Sequence, residues 1–296
     1  MNMQPKKVFL TMNQKKYFIS FGDSRLSAAT TRIRKQAEDM CFFDEVHVLN
    51  ENDLESGFHE QWKHIMKLGS RGYGYWCWKP YIILRLLEQM QKNDILLYCD
   101  VGCHLNPKGL PRLYDYIAEL NSAPIGVKAF YTFSPHIDVT EKRWTKGDIF
   151  DYFNCRNNID VTDTLQIATT QIFIRKDDTS MQYVREWNNL WYENFALIDD
   201  SPSQSPNFPG FIENRHDQSV FSILYKLKGC TPLPSGETDV ADYSNMDAYP
   251  IWDKRDRKPK EKSIFPKIKR YLKSRNVVFK IRLAKIKNYF NSKKIN

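Results

Sequence analysis

Short apolar runs and longer stretches of helical period alternate along the chain. Residues 17–21 (Tyr-Phe-Ile-Ser-Phe) and 95–98 (Ile-Leu-Leu-Tyr) are nearly continuous apolar runs with β-branched or aromatic members. Bounded by polar residues and glycine, they predict buried strands. Residues 43–49, 124–128 and 166–175 predict further strands, and residues 7–12 are strand-like. Helices are predicted over 26–40, 53–68, 81–91, 110–120, 179–195 and 219–228. Ser24 and Ser27 are candidate caps for the first helix. Pro80 suits the first turn of the third, and Pro107 or Pro111 that of the fourth. In 179–195, Met181, Val184, Trp187, Leu190 and Trp191 share one face, a core stripe. The opening strand, helix and strand fill about 35 residues, the size of a βαβ unit. The alternation as a whole predicts an α/β fold.

Other segments break this rhythm. Residues 130–165 are rich in aromatics and Asp and predict a binding wall or lid. Residues 199–210 are a loop by their Pro and Ser content and suit a mobile flap. Residues 231–252 carry turn chemistry. Beyond them, Phe265, Ile268 and Leu272, then Phe279, Leu283, Ile286 and Phe290, form apolar stripes between lysines and arginines. That is a basic amphipathic helix pattern suited to an anionic membrane surface; a solvated helix packed on the body is the alternative.

Charge sharpens this division. Residues 253–296 hold 17 basic and three acidic residues, a net of +14, which leaves −5 for residues 1–252 out of the chain's +9. A mildly acidic body argues against nucleic acid as its partner and for a separate anionic partner of the tail. The expected organisation is a domain at 1–252 and a basic helical tail at 253–296. No apolar window is long enough for a transmembrane helix, and no secretory signal is expected at the N-terminus. The six cysteines form no CxxC pair and are expected to be reduced, mostly buried thiols of a cytoplasmic protein.

Candidate chemistry collects where strands end. Ligands of open α/β sheets sit beyond the carboxyl ends of the strands. Asp100 follows the 95–98 strand, and Gly102 permits close backbone approach, although an Asp–Gly turn is also ordinary turn chemistry. The stretch from Phe21 to Arg25 ends the first strand at the same rim, as a nucleotide site or a plain βα turn. In the run Gly72-Tyr-Gly-Tyr-Trp-Cys-Trp-Lys-Pro-Tyr81, the faces of Tyr75 and Trp78 suit a base or sugar ring. Lys79 is expected just before a helix whose N-terminus attracts phosphate. An aromatic minicore under a loop is the alternative. His216, Asp217 and Gln218 open another helix, where a cap by Asp217 would be the structural reading.

Three segments taken together, 72–81, Leu97-Tyr-Cys-Asp-Val-Gly-Cys-His-Leu-Asn106 and His216-Asp-Gln-Ser-Val-Phe221, resemble bacterial glycosyltransferases of the GT-A type that act in capsule or lipopolysaccharide assembly. The resemblance spans roughly residues 15–230. It implies a GT-A-like, Rossmann-like mixed sheet flanked by helices. Asp100 matches the first Asp of the family's DxD motif and Gly102 replaces the second. The implied donor site is Phe21, Arg25, Tyr75, Trp78, Lys79, Asp100, Val101, Gly102 and Gln166. Asp100 and His216 are the implied ligands of a divalent cation, Mn²⁺ or Mg²⁺. Asp217 would take the acceptor's proton or steady the reacting sugar, and Gln218 would orient it. The implied partners are a nucleotide-sugar donor, a lipid-linked or polysaccharide acceptor, and the inner face of the cell membrane. Two other functions compete: a catalytically inactive glycan- or nucleotide-sugar-binding scaffold, and a nucleotidyltransferase, which the lack of a basic glycine-rich loop after the first strand disfavours.

Overall fold

The computed structural model describes residues 14–257 except 133 and 135. The expected strand at 7–12 and the amphipathic tail at 258–296 lie outside the described residues.

Strands form where the apolar runs fall. In chain order the elements begin β1 (Lys16–Phe21), α1 (Ser27–Asp39), β2 (Glu45–Leu49), α2 (Ser56–Trp62), a single turn α3 (Gly72–Tyr75), α4 (Trp78–Gln89), β3 (Ile95–Cys99), β4 (His104–Leu105), α5 (Leu110–Ser122) and β5 (Val127–Tyr131). They continue with short helices α6 (Glu141–Trp144), α7 (Gly147–Tyr152) and α8 (Ile159–Thr162), then β6 (Ile167–Arg175), α9 (Asp178–Glu193), α10 (Asp217–Leu227) and β7 (Ile251–Trp252).

The main sheet has the order β2-β1-β3-β6-β5. β1 pairs in parallel with β2 and β3, while β6 runs antiparallel to both β3 and β5. The fold is therefore α/β, as the element pattern predicts, with the mixed sheet that the resemblance implies. Both faces are covered, which explains why the central strands β1 and β3 are nearly continuous buried runs, whereas the edge strand β2 alternates Glu45-Val-His-Val-Leu49 and is mostly half-buried. Phe18, Leu97 and Phe173 point into a core with α1 and α5. Ile19, Leu96, Tyr98 and Ile172 point the other way, against α4, α9 and α10. The 179–195 stripe is buried there as expected, and Trp187 and Val184 are fully enclosed. Helix α9 starts on a capping box of Asp177 and Ser180.

Several expectations shift. Neither Ser24 nor Ser27 caps α1; Asp23 accepts the Arg25 amide and opens a 3-10 turn that leads into the helix. Helix 53–68 shortens to α2, because the Trp62 carbonyl takes both the Ile65 and Met66 amides. β5 begins at Val127 rather than at Pro124, which has no amide to give the ladder. Within 130–165 the chain forms α6–α8 around Glu141, a fully buried carboxylate that accepts from Thr145 and Ser222 and pairs with Lys226 at 2.9 Å. Residues 199–210 contain no helix or strand, in line with their composition.

β1 sends its crossover toward β2, whereas the chain returns to β3 on β1's other side. The crevice between the carboxyl ends of β1 and β3 is thus the switch point where open sheets of this kind take ligands. Because β6 is antiparallel, its N-terminal half reaches the same rim, and the Asp100 amide donates to the Thr170 carbonyl at 2.8 Å.

Candidate functional site

Lys79 is the centre of the rim. Helix α4 begins at Trp78, earlier than the sequence suggests, so Lys79 lies inside its first turn instead of before it. Its side chain is turned inward and only 2% exposed. Nζ stands 2.8 Å from Asp217 Oδ2 and 3.4 Å from Asp100 Oδ1, and donates to Thr169 Oγ1 at 3.2 Å and the Thr169 carbonyl at 3.3 Å. Burial alone would lower the Lys79 pKa, but Asp100 and Asp217 outweigh it and hold the pKa above its ordinary value. The ammonium is therefore charged at neutral pH.

Asp217 is 4% exposed at the start of α10. Its side chain caps nothing; Oδ2 faces Lys79 and accepts from Thr169 Oγ1 at 3.1 Å. Burial pushes its pKa up, and Lys79 only partly opposes this. Asp100 closes the cluster, with Tyr98 Oη donating to Oδ1 at 2.6 Å and Arg257 Nη2 lying 3.9 Å from Oδ2. Three segments far apart in sequence thus bring two carboxylates onto one ammonium at the strand-end rim.

Beside this cluster, between the ends of β1 and β3, opens a cleft of about 150 Å³. Phe21, Arg25, Trp78, Asp100 and Val101, all expected at a donor site, line it. Phe21 and Trp78 stack with centroids 4.1 Å apart. Arg25 is clamped in two hydrogen bonds by Asp23, which raises its pKa. The turn α3 forms another wall. Gly72 has φ +57, and a Cβ there would lie 2.3 Å from the Trp76 ring, so only glycine fits.

Other expected residues sit apart from the cleft lining. Tyr75 packs against His216 at 5.3 Å. Gln166 is buried, its Nε2 within 3.3 Å of Glu141 Oε2, Thr145 Oγ1, Ser219 Oγ and the Trp144 carbonyl. It touches the site through Gln218, whose Nε2 donates to Gln166 Oε1 at 2.6 Å. Asp23, Tyr73 and Trp76, which the sequence marks only as members of the 21–25 and 72–81 stretches, also line the cleft, and the sequence passed over two contributors, Thr169 and Arg257. Thr169 is one of two threonines followed by Gln171 in the same strand, and Arg257 is one arginine among many in the basic stretch, so neither stands out in one dimension.

The residues do not fit an ordinary divalent-cation site. Gly102 offers no carboxylate, and no group of three His, Cys, Asp or Glu side chains that could hold a metal occurs among the described residues. Asp100 Oδ1 is taken by Tyr98 and Lys79. His216 is fixed between Tyr75 and Trp76, with φ +56. A carbonyl can only accept, so His216 Nδ1 carries the hydrogen it gives to Ile198 O at 2.5 Å. Burial lowers its pKa, so the ring is neutral; its Nε2 is buried without a hydrogen-bond partner among the described residues, and the Asp200 carboxylate lies 3.9 Å from it.

A larger hollow of about 330 Å³ lies between Glu88, Lys176, Asp178, Met181 and Arg185. It flanks the end of β6 paired with the start of β3, opposite Asp100, and has no buried polar cluster.

No family model matches this chain, and no curated protein matches it. Solved structures do. One is a glycosyltransferase involved in the glycosylation of the major capsid of PBCV-1 (13% identity, TM-score 0.47, covering 80% of this chain and 91% of that one). Another is mouse xyloside xylosyltransferase 1 in its apo form (10% identity, TM-score 0.45, 84% and 99%). A third is the galactosyltransferase LgtC in complex with donor and acceptor sugar analogs (14% identity, TM-score 0.43, 80% and 86%). These structures to which the chain is similar are all glycosyltransferases.

Proposed function

We propose that this chain is a glycosyltransferase that moves a sugar from a nucleotide-diphosphate donor to a hydroxyl of a growing cell-surface glycan. One observation carries the reading. The Asp100–Lys79–Asp217 cluster, with Lys79 and Asp217 buried and Asp100 half-buried, lies at the strand-order switch point, against an aromatic-walled cleft. A rigid aromatic wall suits a base or sugar ring, and charged groups beside it suit a diphosphate.

In the reaction, the bond from the sugar's anomeric carbon to the diphosphate oxygen breaks, and its electron pair leaves with the nucleoside diphosphate. A new bond forms to the acceptor oxygen, whose proton must depart. Lys79, held protonated, offsets negative charge at the rim. Asp217 is fixed by Lys79 and Thr169, and its raised pKa brings it toward the range of a useful proton acceptor. Set beneath the sugar on the other face, the same carboxylate would steady positive charge at the anomeric carbon. Gln218, anchored on Gln166, orients the sugar or the acceptor.

The finer reading places the acceptor in capsule or lipopolysaccharide assembly at the inner face of a bacterial membrane. It draws on the three resembling motifs and on the +14 stretch at 253–296. No helix among the described residues is long and apolar enough to cross a membrane.

The test is thermal unfolding with a panel of nucleoside diphosphates and nucleotide sugars. A ligand at about 100 times its Kd adds about 2.7 kcal/mol, a readily visible shift. Stabilisation by one nucleoside class supports the reading. No shift with any nucleotide contradicts it.

A further inference from the structure

Resting on the donor reading above, we infer that Arg257 takes the role that a divalent cation would play on the donor diphosphate, so that the diphosphate binds without metal. The inference starts from Gly102. Residues 255–257 cross directly over this position as a strap. A Cβ at 102 would lie 3.1 Å from Arg255 Cα, 3.3 Å from Arg255 C and 3.4 Å from Arg257 Cγ. The place where a second carboxylate would stand is filled by backbone and an arginine stem.

The strap is tied down on both sides. The Asp256 amide donates to the Gly102 carbonyl at 3.0 Å. Arg32 Nη2 donates to the Val101 and Cys103 carbonyls at 2.7 and 3.2 Å, while its Nη1 donates to the Asp256 carbonyl at 2.9 Å. One guanidinium thus staples the Asp100 turn to the strap. His104 Nε2 lies 3.1 Å from Asp256 Oδ2, adding a second tie.

The strap ends by presenting Arg257 to the cleft. Its side chain is 45% exposed, its Nη2 lies 3.9 Å from Asp100 Oδ2, and it lines the same cleft as Phe21, Trp78 and Val101. Charge balance gives this meaning. Among the ionisable groups lining the cleft, Asp23 is matched by Arg25, and Asp100 by Arg257. Without Arg257 the lining would be net negative and would repel a diphosphate. A guanidinium offers forked donors matched to phosphate oxygens, and it needs no second carboxylate to hold it. Arg32 acts through the strap and is a positioning residue.

The test is isothermal titration of the full chain with UDP, GDP, CDP and ADP, in EDTA and again with Mn²⁺. The diphosphate that binds is expected to bind in EDTA, with little change on adding Mn²⁺. Arg257→Ala should weaken it about tenfold or more, as expected for losing one charge-assisted hydrogen bond to phosphate. The parent nucleoside, lacking phosphate, should bind the variant and the wild type alike. Arg257→Lys should keep part of the affinity, and Arg32→Ala should weaken the diphosphate without weakening the nucleoside. Binding lost in EDTA and restored by Mn²⁺ would overturn the inference and leave the donor reading standing. So would an Arg257→Ala chain that binds the diphosphate like wild type. Failure of every nucleotide in both conditions would sink the donor reading itself, and this inference with it.

Discussion

Replacing Lys79 by Met isolates what the buried ammonium does. The substitution keeps the length of the stem and removes the charge, together with the 2.8 Å contact to Asp217 and the 3.4 Å contact to Asp100. Asp217, 4% exposed, must then stay ionised without its partner or take up a proton. Breaking one side of a buried pair costs about 3–5 kcal/mol. The cost should depend on pH in a definite sense. Without Lys79, the folded-state pKa of Asp217 rises further above its ordinary 3.8. The folded variant then binds more protons than its unfolded chain between those two values, so it gains stability as pH falls through that window. Each unit of pKa rise beyond the wild-type value is worth about 1.4 kcal/mol recovered. Urea unfolding midpoints at pH 7.5 and pH 5 measure this, and the loss should be clearly smaller at pH 5. The double variant Lys79→Met/Asp217→Asn should lose less than the sum of the two singles, since the contacting groups are coupled. A loss below about 1 kcal/mol at pH 7.5, typical of an exposed ion pair, would refute the reasoning. So would a loss that does not change with pH, or strict additivity in the double variant.

Three further outcomes are expected. Asp253 is buried near Asp239 and Asp100, and burial pushes its carboxyl up to about 6 from 3.8. Its ionisation in the folded state therefore costs about 3 kcal/mol above pH 6, a cost relieved as pH falls toward 4. Asp253→Asn should raise the unfolding midpoint at pH 7.5, and the advantage should vanish near pH 4; an advantage equal at both would contradict the assignment. Glu141→Gln leaves the half-buried Lys226 ammonium, 2.9 Å away, without its carboxylate and should cost about 3–5 kcal/mol by chemical unfolding, whereas adding Lys226→Met to Glu141→Gln, which keeps an acceptor for Thr145 and Ser222, should recover part of it. Deleting residues 258–296 should abolish co-sedimentation with anionic liposomes while nucleotide binding persists, because the deletion spares Arg257; a truncated chain that still sediments would end the membrane role of the tail.

The five strands of the main sheet were legible, β1 and β3 most plainly because burial on both faces demands a short apolar run whatever the pairing order, whereas the two-residue strands β4 and β7 are too short to carry a pattern. The 179–195 helix was legible because its period is regular and its stripe wide. Asp100 and Asp217 were found for local reasons, one following a strand and the other opening a helix. Their meeting on Lys79 was not legible, since it depends on α4 beginning at Trp78 and on β6 running antiparallel. Charge counting assigned 253–257 to a separate tail, yet these residues lie on the Asp100 turn, held by the Gly102 carbonyl and Arg32. Net charge records composition; it does not record which single arginine a three-residue strap carries into a cleft.

The most direct measurement is release of free nucleoside diphosphate from the nucleotide sugar that the chain binds, with a bacterial glycolipid extract supplying acceptors, for wild type and Asp217→Asn side by side. The glycosyltransferase account predicts steady release by wild type and a loss of about a hundredfold or more in the variant, the scale of a positioned acid–base group. A chain that binds a nucleotide sugar but releases no diphosphate, or that releases it equally well with Asn at 217, would contradict the account.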